Sequence, residues 1–338
     1  MKPTLLMSFA YYRKNAWMSE FLQGTLCSVD WLVDSGAFTQ HSKRGQTTPV
    51  SAFTMADYVA ECHAVFHGRV VGYVQYDVIG DYLGTLRNLL DMRERGLSPI
   101  PVYVMGDFDA GRVRELFVHA PDGRICIAGG VGTPLKYAVG RYLLSAEALR
   151  GKPHKIHALG FVRLPHCLHL PLATVDSSSW AAGGMFGTVY LFNPAWVVRY
   201  GTPLKSFSRE KLRPLLDVSN GSPLAVDVRR ALGRCGLGAS DLSDEAKWRT
   251  WAGIPALIAT REWVRFSAYS KEEWGLGVFP VVASTTSCCA VVAGLWWGLN
   301  RSASYADAAA YYRHISALPV GELCEVVSGF VFPKGWWR

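Results

Sequence analysis

Short apolar runs alternate with segments of helical spacing throughout the first 192 residues of the chain. Within the segments, apolar residues recur at the period of a helix, as they do in Leu135–Leu149. Strands separated by helices favour a parallel sheet, because two parallel strands can only be joined by a crossover. The runs predicted to be strands are Leu5–Ala10, Trp31–Val33, Val70–Tyr76, Pro101–Val104, Ile125–Ala128, Ile156–Leu159, Leu172–Val175 and Thr188–Phe192.

Eight predicted strands match the strand number of a (β/α)8 TIM barrel. We therefore predict an α/β fold with a catalytic barrel over residues 1–192; a doubly wound open sheet is the alternative. After residue 192 the alternation stops, and tryptophans are interleaved with Arg and Lys. Residues 193–338 are predicted to form a mostly helical, Trp- and Arg-rich accessory domain that could bind DNA. Its predicted helices are Ser208–Leu216, Leu224–Leu232, Asp244–Ala252, Pro255–Arg265 and Tyr305–His314.

Composition changes this picture only slightly. The formal net charge of +8 favours a polyanionic partner without excluding an ordinary soluble enzyme. The eight cysteines form no C-x-x-C pair, which favours a reducing compartment. Gly275–Asn300 carries no charge and is long enough to span a bilayer. Because Pro280 and the polar run Ser284–Ser287 interrupt it, we predict a buried strand–turn–helix instead.

Carboxylates and glycines follow the apolar runs at the points where barrel strands end, and in a barrel these ends converge on one rim. Helix capping explains a single aspartate after a strand, but several carboxylates in one pocket repel each other and lose solvation. One carboxylate can attack an anomeric carbon while a second handles the proton of the leaving group, and Phe38 can stack on a flat ring. The residues in this pattern are Asp34, Asp77, Asp107, Gly129, Gly130, Gly160 and Asp176.

Four motifs within residues 5–192 resemble those of the tRNA-guanine transglycosylases. Asp34–Phe38 is similar to the family's Asp-Ser-Gly-Gly-aromatic motif, and Val175–Trp180 to the Phe-Asp-Ser-Ala-Ser-Tyr of its archaeosine branch. Gly129–Val131 resembles the family's Gly-Gly-Leu, and Ala158–Gly160 resembles its Met-Gly segment. The four motifs also follow one another in the family's order.

Two departures from the family pattern point to a diverged substrate. The family's zinc-binding Cys-x-Cys-x-x-Cys run has no counterpart, and Met105-Gly106-Asp107 replaces its Gln-Gly-Gly. Zinc-less, Trp-rich relatives are the DpdA-type transglycosylases of phages and bacterial DNA-modification clusters, which exchange guanine in DNA for a 7-deazaguanine, commonly 7-cyano-7-deazaguanine. The resemblance therefore implies an enzyme, a DNA guanine transglycosylase. The alternatives are a tRNA-guanine transglycosylase and a non-catalytic nucleic-acid-binding subunit of a modification complex.

The resemblance also implies a role for each matching residue. Asp176 attacks C1′ of the target nucleoside and forms a covalent glycosyl-enzyme. Asp34 shuttles the proton of the leaving and incoming bases, and Asp77 accepts hydrogen bonds from the N–H edge of the base. Phe38 and Leu159 sandwich the ring. The residues expected to contact the base are Ser35, Phe38, Asp77, Met105, Gly106, Gly129, Gly130, Leu159 and Gly160.

The expected partners follow from this assignment. Lys43, Arg44 and Arg163 are predicted to contact phosphates at the rim. The nucleic acid is DNA, with tRNA as the alternative, and the free 7-deazaguanine base is the co-substrate. A homodimer is also an expectation, whereas no membrane, cofactor or metal is expected. The location is cytoplasmic, or the host cytoplasm for a phage-encoded protein. The histidines around the sixth strand fit no ligand spacing and are predicted to lie on the surface or in loops: His154, His157, His166 and His169.

Overall fold

The computed structural model describes residues 2, 4–26, 28–42, 53–104, 107–128, 134–161, 166–181, 183, 186–245, 247–248, 253–282 and 285–330. These residues form two compact units. The sheet unit contains Lys2–Ser177 and Trp274–Ala283, and the helical unit contains Ser178–Glu273 and Ser284–Arg338. This division differs from the predicted boundary at residue 192, because the chain leaves the sheet unit after residue 177 and returns to it later.

An eight-stranded, all-parallel, curled sheet is the core of the sheet unit, so the predicted α/β fold with a parallel sheet is confirmed. The strands in chain order are β1 Thr4–Ser8, β2 Asp30–Asp34, β3 Gly72–Tyr73, β4 Val102–Tyr103, β5 Arg124–Ile127, β6 Lys155–Ala158, β7 Thr174–Ser177, β8 Val189–Phe192, β9 Leu204–Phe207 and β10 Gly277–Val282. Eight of these strands form the large sheet, in the order β3-β2-β1-β10-β7-β6-β5-β4.

The last strand of the sheet comes from far along the chain. β10 lies between β1 and β7, where Leu6 is paired with Val281 and Asp176 with Phe279. The predicted eighth strand exists as β8, but it pairs antiparallel with β9 in a separate two-stranded sheet. The prediction that Thr188–Phe192 completes the large sheet is therefore wrong. β8 and β10 are both short apolar runs, and sequence order alone favoured the nearer one.

The two outer strands of the sheet order also meet. Val74, directly after β3, forms a parallel bridge with Ile100, just before β4. Ile100 N donates to Tyr73 O at 2.8 Å, and Gln75 N donates to Ile100 O at 3.0 Å. One apolar core contains residues from both ends of the sheet order. Its members lie on β1 to β5 or directly beside those strands, and β3 and β4 are the two outer strands. The core residues are Leu6, Leu32, Val74, Ile100, Val102, Val104 and Cys126, with Ala128, Leu159, Phe279 and Val281 packed against them.

Gln75 links β3 to β4 through its fully buried side chain. Its Oε1 accepts from Val102 N at 2.9 Å, and its Nε2 donates to Thr85 O at 3.0 Å. We expect Gln75→Leu to lower the free energy of unfolding by about 1–3 kcal/mol, because it leaves the buried N–H of Val102 without its partner. Urea unfolding measures this change. The exposed Gln23→Leu is the control, expected within roughly 0.5 kcal/mol of wild type; equal losses in both variants would contradict the role of Gln75.

Three helices of the sheet unit begin at a capping side chain. Thr54 forms a capping box with Asp57, and Asp81 and Asp109 each accept from backbone amides of the helix that they precede. The first of these three helices, Met55–Glu61, continues into a π-helical turn, Cys62–Phe66. The segment Leu135–Leu149, predicted from its spacing, is a helix over Leu135–Ala148. The helices are Phe9–Tyr12, Ala16–Thr25, Ala37–Ser42, Met55–Glu61, Tyr82–Glu94, Ala110–Phe117 and Leu135–Ala148.

The helical unit is mostly helical, as predicted. The predicted helix over Asp244–Ala252 is wrong for its described residues, since Lys247 and Trp248 lie in a turn where Lys247 Nζ donates to Asp241 Oδ1 at 2.8 Å. Several of the described tryptophans are buried, including Trp196 and Trp263. Among the described residues of this unit, the α-helices include Trp196–Tyr200, Arg209–Leu216, Pro223–Gly233, Ile254–Trp274, Thr285–Leu299, Tyr305–Ser316 and Val320–Ser328.

The uncharged stretch Gly275–Asn300 consists of β10 followed by the helix Thr285–Leu299. The predicted strand and helix are thus confirmed, whereas the predicted turn between them lies outside the described residues. Within the part of the chain that the structure describes, no helix combines the length and the apolar character needed to cross a bilayer.

Candidate active site

Asp34 is the last residue of β2, where it is paired with Ser8 of β1. The chain turns sharply after it, and Gly36 adopts a φ of +82°. A Cβ atom on Gly36 would lie 2.8 Å from the Cβ of Ala10, so only glycine fits this turn. Gly36 N donates to Asp34 Oδ2 at 3.0 Å. The Asp-Ser-Gly sequence therefore fixes the Asp34 carboxylate at the carboxyl end of its strand.

Ser35 connects this turn to Asp77, which follows β3. Its Oγ donates to Asp77 Oδ1 at 3.0 Å and accepts from Ala37 N at 3.3 Å. Ser35 has no exposed surface, and Asp77 is 8 % exposed. Ser35 was predicted to contact a substrate; in the structure its buried hydroxyl positions the Asp77 carboxylate.

Asp176 lies within β7 and is 6 % exposed. Gly160 N, just after β6, donates to Asp176 Oδ1 at 2.8 Å. Gly160 has a φ of +65°, a conformation that glycine adopts at little cost. Nε2 of His157 lies 3.2 Å from the same carboxylate oxygen. The neighbouring strand β6 thus supplies both groups next to Oδ1.

The carboxylates of Asp77 and Asp176 act electrostatically on that of Asp34. Burial raises the pKa of Asp34 to about 7, and the negative charges of Asp77 and Asp176 add to the effect. Burial raises the pKa of Asp77 to about 6, although the Ser35 hydrogen bond opposes the shift. Below them, burial and the charges of all three raise the pKa of the Cys126 thiol. The structure therefore brings together three of the predicted aspartates.

Charges held this close should make the fold more stable at lower pH. Because the pKa of Asp34 rises from 3.8 unfolded to about 7 folded, stability is lost as pH increases through that window. We expect Asp34→Asn to raise the free energy of unfolding at pH 8 by on the order of 1–2 kcal/mol, and by less at pH 5. The asparagine still offers an oxygen to Gly36 N. Denaturant unfolding at both pH values measures the difference.

Asp57 is the control for this prediction, because hydrogen bonds from Thr54 hold its pKa below the usual carboxyl range. Asp57→Asn should therefore destabilise the fold at pH 8, opposite in sign to Asp34→Asn. A gain from Asp34→Asn that is equal at pH 5 and pH 8 would contradict the raised pKa.

The other predicted site residues have four different outcomes. Phe38 is 49 % exposed on the helix Ala37–Ser42, directly after the turn that holds Asp34. Leu159 packs against the apolar core of the sheet unit. Asp107 is exposed and is not among the charges that shift the pKa values of Asp34 and Asp77. The remaining predicted residues lie outside the described residues: Met105, Gly106, Gly129, Gly130, Lys43, Arg44 and Arg163.

Sequence reasoning missed three residues around Asp176, namely His157, Thr174 and Phe279. His157 was expected on the surface or in a loop, but it lies on β6 and is 4 % exposed. Its Nδ1 is 2.8 Å from Thr174 Oγ1, and its ring stacks on Phe279 of β10 with 5.8 Å between centroids. The alternation of β6 was a usable signal, because it places His157 and Leu159 on the same face.

Within the described ranges, no cluster of three or more His, Cys, Asp or Glu side chains has an arrangement that could hold a metal ion. Comparison with known proteins gave no matching family model and no matching curated protein.

Proposed function

We propose that the protein is a DNA guanine transglycosylase that replaces guanine with a 7-deazaguanine base through a covalent deoxyribosyl–Asp176 intermediate. The observation that carries this proposal is the group of three buried or half-buried carboxylates at the carboxyl ends of parallel strands. Such a group lowers the stability of the folded protein, because burial and mutual repulsion both oppose ionisation of the carboxylates. A cost of this kind is typical of a site where carboxylates do chemistry.

In the first step, Asp176 Oδ2 is the attacking atom, since Oδ1 is held by Gly160 N. The carboxylate forms a bond to C1′ while the C1′–N9 bond breaks, and the electron pair goes to the departing guanine. Asp34 gives its proton to this base. With a pKa of about 7, Asp34 is protonated in a large fraction of molecules at neutral pH.

In the second step, the incoming base gives its proton to Asp34 and attacks C1′ through its nitrogen. The C1′–Oδ2 bond breaks, and its electron pair returns to Asp176. Two displacements on opposite faces retain the configuration at C1′. Asp77, with a pKa of about 6, is mostly ionised at neutral pH and accepts from the N–H edge of either base. Phe38 has the exposed aromatic face needed to stack on the ring.

We further infer that the curled sheet closes into a (β/α)8 barrel. The bridge between Val74 and Ile100 joins the two outer strands of the sheet order, and the core draws on strands from both ends. Closure puts the carboxyl ends of all eight strands on one rim, which is where barrel enzymes act. A nucleoside would reach this rim only as a flipped-out or single-stranded base.

The preference for DNA rests on the sequence. The chain lacks the zinc-binding run of the tRNA enzymes and carries a basic, tryptophan-rich second half. A net charge of +8 suits either nucleic acid, so charge alone does not separate them.

Isotope-labelled guanine decides between these substrates, because guanine-for-guanine exchange needs no knowledge of the natural incoming base. The protein is incubated with ¹⁵N-guanine and either duplex DNA, single-stranded DNA or bulk tRNA, and the recovered nucleosides are analysed by mass spectrometry. We expect label in deoxyguanosine. Single-stranded DNA is included because it removes the cost of opening the duplex, a few kcal/mol per flipped base.

The three substrates give distinct outcomes. Label in tRNA alone would replace DNA with tRNA as the substrate. Gel-shift binding of DNA without exchange into any substrate, unaffected by Asp176→Asn, would indicate a non-catalytic binding subunit and would contradict the proposal.

A further inference from the structure

His157 lies beneath the proposed nucleophile, surrounded by the neighbouring strands. It is paired with Cys126 of β5 on one side and with Thr174 of β7 on the other. The imidazole is almost completely buried, and its ring stacks on Phe279 at an interplanar angle of 22°. Its position is thus fixed on three sides by β5, β7 and β10.

The two ring nitrogens of His157 have different partners. Nδ1 lies 2.8 Å from the Thr174 hydroxyl, which can either donate or accept. Nε2 lies 3.2 Å from Asp176 Oδ1, but its N–H direction is not aligned for a hydrogen bond. A buried nitrogen without a formed hydrogen bond is costly, and contacts of this kind often tighten only when a substrate is bound.

The charge on Asp176 favours a hydrogen on the nitrogen that faces it. In the neutral ring this requires Thr174 to donate to Nδ1, and in the cationic ring Thr174 accepts instead. The hydroxyl can do both, so Nε2 carries a hydrogen in either state. The same carboxylate oxygen already accepts from Gly160 N.

We infer that His157 is a positioning residue for Asp176: once a substrate is bound, its Nε2–H, fixed by Thr174, donates to Oδ1 so that Oδ2 faces C1′, and it stabilises the carboxylate that reforms when the sugar leaves. This inference rests on the proposed function and adds a residue that the family resemblance did not assign. In the ester intermediate Asp176 has lost its charge, so His157 favours the free carboxylate over the ester. Removal of the imidazole should therefore slow exchange and, at equilibrium, shift the protein toward the covalent adduct.

The hydrogen on Nε2 can be observed without any substrate. Protein labelled with ¹⁵N-histidine gives a two-bond proton–nitrogen correlation spectrum, in which the His157 signals are those missing from His157→Phe. We expect an Nε2 shift typical of a protonated nitrogen at pH 7.5. A shift typical of a bare Nε2 would overturn the inference, whether or not the protein exchanges bases.

The second arm measures exchange and adduct in His157→Phe, which keeps an aromatic ring against Phe279, and in Thr174→Val. We expect exchange about 10²-fold slower in His157→Phe, because a misplaced nucleophile loses its alignment. The equilibrium fraction of covalent adduct should rise, and Thr174→Val should change both quantities in the same direction. The control is His154→Phe, directly before β6, with no change expected.

Damage to the fold would lower exchange and adduct together, and that outcome would overturn the positioning role. Unchanged exchange in His157→Phe would also overturn it. A failure of the proposed function is seen separately, as wild-type protein that forms no adduct with any nucleic acid, and the nitrogen spectrum still decides whether His157 donates toward Asp176.

Discussion

Asp176→Asn is expected to lower base exchange by more than about 10⁴-fold, the largest effect of any single substitution in the chain. An amide cannot form the glycosyl ester, so the pathway through a covalent intermediate is lost. The asparagine oxygen can still accept from Gly160 N, and the fold should be retained. Labelled guanine incorporation measures the rate, and thermal unfolding checks the fold.

Asp91→Asn is a suitable control for this substitution. Asp91 lies on the helix Tyr82–Glu94 and forms a surface ion pair with Arg95 at 3.1 Å. Such pairs contribute roughly 0–1 kcal/mol, so neither exchange nor stability should change appreciably. Exchange by Asp176→Asn at a rate within tenfold of wild type would remove Asp176 from the role of nucleophile.

Asp34→Asn is expected to lower exchange by about 10²–10⁴-fold, the range for loss of a general acid–base group. It should also change the pH dependence of the first step. In wild type, formation of the covalent adduct requires protonated Asp34, so its single-turnover rate should decline as pH rises through about 7. The variant has no carboxyl to titrate there and should lose this limb of the profile.

The matched control is Asp30→Asn, at the opposite end of the same strand. It should retain both the rate and the decline near neutral pH. If Asp34→Asn kept the same pH profile at a lower rate, another group would have to supply the proton. That result would not contradict the proposed site of buried carboxylates, but it would assign the proton transfer to another residue.

Asp34→Asn also separates the effect on activity from the effect on stability. Asp34→Asn should exchange bases far more slowly and yet unfold less readily at pH 8, because it removes a buried charge beside Asp77 and Asp176. A residue kept for structural reasons would lose stability when replaced. Opposite signs in the two measurements are therefore a signature of a functional carboxyl group.

Much of the sheet unit could be predicted from local patterns. Helix starts at Thr54, Asp81 and Asp109 follow from capping side chains, which act within one turn of chain. The strands of the parallel sheet follow from apolar runs. The positions of Asp34 and Asp176 follow from where those runs end.

Pairing between distant strands could not be predicted in the same way. The choice of β10 over β8 as the neighbour of β1 and β7 depends on packing across the whole sheet. No local property of either run encodes it. The same limit explains the predicted boundary at residue 192, which assumed that the sheet was complete before the helical residues began.

Within the site, the sequence indicated the carboxylates but not what surrounds them. In the sequence, Ser35 is recognisable only as part of the Asp-Ser-Gly motif. Its role in positioning Asp77 is visible only from the hydrogen bond between the two side chains. His157 was grouped with other histidines by proximity in sequence, whereas its burial depends on Thr174 and Phe279 from two other strands. Side-chain contacts between different strands can be identified only when the pairing of those strands is known.

The proposed covalent bond between Asp176 and a deoxyribose of DNA can be observed directly. The most direct test is to incubate wild-type protein with single-stranded DNA without free base, quench in acid, digest with protease and nuclease, and sequence the modified peptide by mass spectrometry. We expect a deoxyribosyl group, with guanine lost, on the peptide that contains Asp176, and no such peptide from Asp176→Asn. A modification at another residue, or intact unmodified peptide from protein that binds the DNA, would contradict it.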